Sequence, residues 1–376
     1  MPHLIRGALK DYDWGVVDGL APWLGRSTGA PQAELWFGAH PAAPALVLAS
    51  DHADPATTSG SATTTARSLA DVVDPADVPL LVKILAAARP LSVQVHPNRE
   101  LAASVFAAQS APGADQVYAD AEEKTELLLA LTPFTAFCGW RDIEDACALL
   151  EGVPGAAPAI EALHAGDHCA AVRALLSIAD LDGALAALSV TTDRHRDAAV
   201  FRTVRSAFPG DRGALLLTLL AVHELRPGDA VYVPAGVPHS YVQGIGVEVM
   251  TSSDNVVRLG LTNKAIFVDQ AITALSETAQ PTVIHQDGTW ICPAGAPFAL
   301  RSLDGVGDVV VDSGSYRVVL ALTDGIEVDV NDAVWPVAAG QALIVLAIEP
   351  AIHVRSLNAE GRGVVVTSIV EQAGST

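Results

Sequence analysis

"GDAVYVPAGVPHSYVQG", residues 228–244, is the stretch on which the fold turns. A β-branched run climbs to Pro234, the chain turns through Gly236, and His239 stands just past the corner. Proline fixes φ and glycine admits tight geometry, so the stretch reads as strand, turn, strand. A histidine after such a corner has two readings. It is a packed core residue bonded to a carbonyl, or it is one arm of a metal site assembled from distant parts of the chain. The two readings ask for different residues elsewhere.

Outward from this stretch the texture changes twice. From about residue 5 to 140, "AELWFGAH", "PLLVKILAA", "LSVQVHP" and "ELLLALTPF" read as short strands, while 51–70, rich in Ala, Thr and Ser without apolar period, reads as a surface loop. From about 141 to 222, "IEDACALLEG", "AAVRALLSIADLDGALAAL" and "RDAAVFRTVRSAF" place apolar residues three and four apart, which predicts helices. Asp142 and Asp193 are candidate N-terminal caps, and Pro209-Gly210 ends one helix. Strands resume at 221. "YRVVLALTDGIEVDV" and "QALIVLAIEPAIHV" then carry an all-β pattern through the last hundred residues.

Composition bounds the partners. The formal charge of -21 argues against nucleic acid and anionic membranes, because both need a basic face. No run approaches the roughly 18 to 20 uncharged residues of a membrane span; Lys83 and Arg89 interrupt the most apolar stretch. The opening "MPHLIRGALKDYDWG" is too polar for a signal peptide. Cys138, Cys147, Cys169 and Cys292 show no CxxC spacing and read as reduced thiols, so a cytoplasmic protein is expected.

"LSVQVHPNRE", residues 91–100, supplies a second histidine. In a strand alternate side chains share a face, so Ser92, Gln94 and His96 point one way and Val93 and Val95 the other. The polar triplet is a solvent face, or Gln94 and His96 are a chelating pair. Further on, Glu126 opens an apolar run with Lys124 two residues before it.

Taken together these segments resemble the type I mannose-6-phosphate isomerases, or phosphomannose isomerases. Gly228, Pro234, Gly236 and His239 have the spacing of the second cupin motif, and the resemblance runs in order over about 270 residues. It covers "YDWG" at 12–15, "AELWFGAHP" at 33–41, "PLSVQVHPN" at 90–98, "LTPFTAFCGW" at 131–140 and "EVMTSSDNVVRLGLTNK" at 248–264. The resemblance implies a mainly β protein: two cupin (jelly-roll) β-barrel domains with an inserted α-helical domain. The expected division is 1–140 plus 223–279 as the metal-binding cupin, 141–222 as the helical insertion, and 280–376 as a metal-free cupin-like domain. His353, in that last domain, lacks ligand partners at the right spacing.

The same resemblance implies one zinc ion held by Gln94, His96, Glu126 and His239. Two imidazoles, a carboxylate and a neutral amide suit zinc and leave one net positive charge. The implied reaction interconverts mannose 6-phosphate and fructose 6-phosphate through a cis-enediol. It would feed glycolysis or GDP-mannose formation. Arg258 would steady the enediolate or relay protons, Lys124 is a candidate for proton transfer, Lys264 would bind the phosphate, and Trp14 would wall the pocket or simply pack. The expected partner is a small sugar phosphate, and the chain is expected to be a monomer or weak homo-oligomer. Glu123 departs from the family's usual His-Lys-Pro-Glu, which suggests that it pairs with Lys124 or that the phosphate sits elsewhere. Two rivals follow: an iron-dependent cupin oxygenase, and a sugar-phosphate sensor that has lost turnover.

Overall fold

The computed structural model describes residues 1–49, 67–111, 113, 115–285 and 287–369. The loop expected at 51–70 falls largely outside these residues. The fold is mostly β, as expected, with several antiparallel sheets. The chain forms two compact units: Met1–Leu85 with Val247–Ser252 and Ile284–Thr376, and Ala86–Gly246 with Ser253–Val283. These cuts differ from the division drawn above.

The first unit contains a six-stranded antiparallel sheet ordered Phe298–Asp304, Arg362–Ser368, Arg317–Ala321, Gln341–Val345, His3–Arg6 and Leu46–Val47. His3–Arg6 pairs with Gln341–Val345, which is why the N-terminal segment groups with the C-terminal strands. A four-stranded sheet of Gly307–Val311, Ile352–Ser356, Ile326–Val330 and Ala333–Val337 packs over it. Val319, Leu343 and Val365 from one sheet meet Val309, Val328, Val354 and Trp335 from the other in a shared core. The alternation in "IEVDV" explains the facing: Ile326, Val328 and Val330 are buried while Glu327 and Asp329 are half-buried. Asn331 and Asp332, both at positive φ, make the two-residue turn that the right-handed twist of a hairpin favours.

The same unit carries buried charge. Its residues 80–85, the start of the strand Leu80–Ala87, are all buried, Lys83 included. Lys83 Nζ lies 3.1 Å from Glu248 and 3.9 Å from Glu34, over the face of Trp36 at 4.8 Å. Arg317 is fully buried and donates to the carbonyls of Asp312, Leu346, Glu349 and Pro350.

In the second unit, Phe134–Trp140 and Leu220–Leu225 pair antiparallel. The helical segment therefore leaves and re-enters the sheet at adjacent strands. Its main helices are Ile143–Leu150, Ala157–His164, His168–Leu176, Leu181–Thr192 and Ala198–Ala207. Asp142, Asp167 and Asp180 cap three of them by accepting from backbone N–H groups three residues on. Asp193 is a correction: it follows the last turn of Leu181–Thr192 and binds Arg205 at 2.7 Å, and the next helix starts after Asp197. Leu149, Leu163, Leu175, Leu188 and Phe201 pack with Val93, Val95, Phe137 and Leu259 in one core. That core holds the apolar face of Val93–Val95 and leaves the other face for polar groups. Among the described residues, no helix is long and apolar enough to cross a membrane.

Candidate metal centre

Val93–Val95 lies between two strands, His239–Thr251 and Val257–Gly260. Gln94 is directly opposite His239 on one side and Arg258 on the other. Directly opposite residues project to the same face, so the register sets Gln94, His239 and half-buried Arg258 on one face. Glu126 begins Glu126–Ala130 opposite Val233, the last residue of the strand before the Pro234 corner. Gly236 has φ +85°, and a Cβ there would come within 2.8 Å of Ser276 Cβ. Glycine is required at that corner for both reasons. Its N–H donates to the His96 carbonyl at 2.9 Å, which ties the turn to the segment that carries His96.

The side chains converge. His96 Nε2 is 3.1 Å from Glu126 Oε1, and His239 Nε2 is 3.4 Å from Glu126 Oε2. The Gln94 amide nitrogen is 3.1 Å from His239 Nε2. Four ligands at about 2.0 to 2.1 Å around a tetrahedral zinc would stand roughly 3.4 Å apart, close to these separations. Among the described residues, His96, Glu126 and His239 are the one group of His, Cys, Asp or Glu whose ligating atoms lie within 4.8 Å of one another. All three are buried.

The hydrogen bonds fix what these atoms offer. His96 Nδ1 meets the Asn255 carbonyl at 2.8 Å and His239 Nδ1 meets the Val237 carbonyl at 3.0 Å. A carbonyl only accepts, so each Nδ1 carries a hydrogen and each ring turns its Nε2 inward. Burial, and after it Lys124, pushes His96 down to about 3, so the ring is neutral. Burial acts to raise the Glu126 carboxyl, but Lys124 with Nζ 3.0 Å away, helped by the imidazoles, holds it well below the usual carboxylate range. The lone pair of His96 Nε2 and the Nε2 of His239 therefore face one carboxylate inside the protein. His96 Nε2 is buried and makes no hydrogen bond. Two ring nitrogens closing on one carboxylate, with an orphaned nitrogen among them, fit a cation. A rotation of the Gln94 amide would present its oxygen as a fourth acceptor. Cys138, opposite His239 in the neighbouring strand, has its thiol pushed up by burial, so no thiolate competes.

The remaining expected residues are placed as follows. Lys124 is buried and turned onto Glu126. Glu123 is bound by Arg99 at 3.2 Å, an exposed contact. Lys264 is exposed, beyond Leu261, a buried residue held at φ +56°. Trp14 belongs to the other unit, half-buried and stacked on Tyr12 with ring centres 5.7 Å apart. His353 meets Asp308 at 2.9 Å on the C-terminal sheet. Sequence reasoning missed Asn255, which is fully buried, and the Lys83–Glu34–Glu248 cluster. A lysine inside "PLLVKILAA" was the available signal for the cluster.

Residues 3–143 match the family profile described as phosphomannose isomerase type I, catalytic domain. Mannose-6-phosphate isomerase of Escherichia coli (strain K12) is 34% identical over 291 residues, 73% of this chain and 74% of that protein. The Homo sapiens mannose-6-phosphate isomerase is 33% identical over 277 residues, 66% of this chain and 64% of its own. A zinc-bound crystal structure of mannose 6-phosphate isomerase superposes with TM-score 0.80 at 26% identity, covering 98% of this chain and 100% of that one. A point mutant of phosphomannose isomerase from Salmonella typhimurium superposes with TM-score 0.82, also at 26% identity and the same coverage.

Proposed function

The chain belongs to the type I phosphomannose isomerase family, and on that premise we propose that it interconverts mannose 6-phosphate and fructose 6-phosphate with zinc held by Gln94, His96, Glu126 and His239. One observation supports this above the others: the Nε2 atoms of two imidazoles close on one carboxylate in a buried site, and His96 Nε2 makes no hydrogen bond there. When bound, zinc supplies a Lewis acid that polarises sugar oxygens.

The chain's own residues do the rest. The reaction takes a proton from C2 of the aldose and returns one to C1, through a cis-enediol. Arg258 stays charged at any working pH, so its proposed task is to steady the negative oxygen of the enediolate, not to act as a base. Lys124, the buried amine beside Glu126, is the proposed proton carrier. Lys264 is proposed for the phosphate and Trp14 for the wall of the sugar pocket. The metabolic place this gives the chain is a supply of fructose 6-phosphate for glycolysis or of mannose 6-phosphate for GDP-mannose.

A coupled assay with mannose 6-phosphate tests the proposal. Activity should vanish on chelation and return with zinc, and solvent deuterium should enter the sugar at C1 or C2. Binding of the sugar phosphate without exchange would make the chain a sensor. Turnover untouched by exhaustive chelation would remove zinc from the reaction.

A further inference from the structure

Asn255 sits just after the strand that begins with His239, in "TSSDNVV", and is fully buried. Its side chain uses every hydrogen-bonding position it has. Oδ1 accepts from Ala119 N at 2.8 Å and Asp120 N at 3.2 Å. Nδ2 donates to the Glu122 carbonyl at 2.7 Å and, at 3.0 Å each, to the Asp120 carbonyl and Asp120 Oδ1. Its main-chain carbonyl is the group that receives His96 Nδ1–H at 2.8 Å. One residue thus holds the segment leading into Lys124 and Glu126 while fixing the ring of His96. Ser253, also fully buried, completes the clamp: its hydroxyl donates to Asp120 Oδ1 at 2.8 Å and receives Asn255 N–H at 3.2 Å.

We infer that Asn255 is a positioning residue for the metal centre: its side chain sets the 119–122 segment and its carbonyl the His96 ring, so two ligands far apart in sequence are aimed together. This rests on the metal reading above. The physical reason is that a buried amide with all its bonds made has a single orientation, and that orientation directs the carbonyl on the same residue. An outer-sphere acceptor of this kind fixes the tautomer of a ligating histidine.

The test uses the full chain and zinc alone. Wild-type affinity, from competition with a chromophoric chelator, comes first; failure of the wild type to bind zinc sinks the metal reading before Asn255 is touched. Asn255→Ala should weaken zinc roughly 10- to 100-fold and alter the visible spectrum of the cobalt-substituted protein. Asn255→Asp keeps the shape and the accepting oxygen but turns a second oxygen toward three acceptors. It should fail to rescue, whereas a space-filling role would be rescued fully. A folded Asn255→Ala protein with wild-type affinity and spectrum overturns the inference, and so does rescue by Asn255→Asp. If neither variant folds, Ser253→Ala decides: zinc affinity should fall by about threefold or more, as for one lost buried hydrogen bond, and no change overturns the inference.

Discussion

Lowering the pH from 8 to 5.5 should weaken zinc binding here less than at a site built from two solvated histidines. A solvated imidazole, with a pKa near 6.5, is roughly 90% protonated at pH 5.5 and must shed that proton to take a metal. Two such rings would add nearly two protons to the number released on binding as the pH drops. Here burial, then Lys124, pushes His96 down to about 3, and Glu126 is held well below the usual carboxylate range. Neither has a proton to displace at pH 5.5. With one of the two rings contributing nothing, the added release is at most one proton. Zinc affinity should therefore fall no more than about tenfold per pH unit, against about a hundredfold for two displaced protons. Calorimetric titration of zinc into the apoprotein, in buffers of different ionisation enthalpy, counts the protons at each pH. A rise approaching two protons would refute the reasoning, because His96 would then be charged in the folded protein.

The same depressed group has a signed effect on folding. Below pH 6.5 the unfolded chain binds a proton at His96 that the folded apoprotein refuses, so stability is full above 6.5 and is lost as the pH falls toward about 3. The loss from this group is at most about 1.4 kcal/mol per pH unit, read from denaturant midpoints of the apoprotein at pH 6.5 and 5.5. Lys124→Met should lower kcat about 10²- to 10⁴-fold with zinc retained, as loss of a proton carrier would; steady-state kinetics beside metal analysis checks both. Glu123→His should leave KM for mannose 6-phosphate within about threefold, because Glu123 is engaged by an exposed Arg99 in a weakly worth pair. A larger change in KM would return Glu123 to the substrate's neighbourhood. Gly139→Ala should lower the melting temperature by several degrees, since φ is +70° there and the new Cβ would fall 2.3 Å from Pro281 Cδ. Left-handed backbone alone costs a side chain about 1 to 2 kcal/mol.

The convergence of Gln94, His96, Glu126 and His239 was legible because Gln94, Glu126 and His239 lie at strand positions where local pattern fixes the face, and His96 directly follows one of those strands. Val93 and Val95 had to be inside, so Gln94 had to be on the other face. The Gly-Pro-Gly framing of 228–239 reports a corner through backbone demands that survive any tertiary context. Asp193 failed for the opposite reason. An aspartate in a short link between two helices satisfies the same local pattern at either end, and only the pairing with Arg205 decides. Asn255 was illegible since a polar residue after a long strand reads as solvated loop, and its burial is created by a segment more than a hundred residues earlier. Lys83 shows the limit from the other side. Its charge was visible, but its two carboxylate partners come from distant strands.

The order of the proposed ligands along the chain has a consequence for biosynthesis. Gln94, His96 and Glu126 precede the helical segment and His239 follows it. A nascent polypeptide still on the ribosome cannot complete the cation's cage until every helix between Ile143 and Ala207 has been made. On the proposed ligand set, the complete cage therefore forms only after the helical segment has been made. A fragment that ends before the Pro234 corner would lack His239, one of the four proposed ligands.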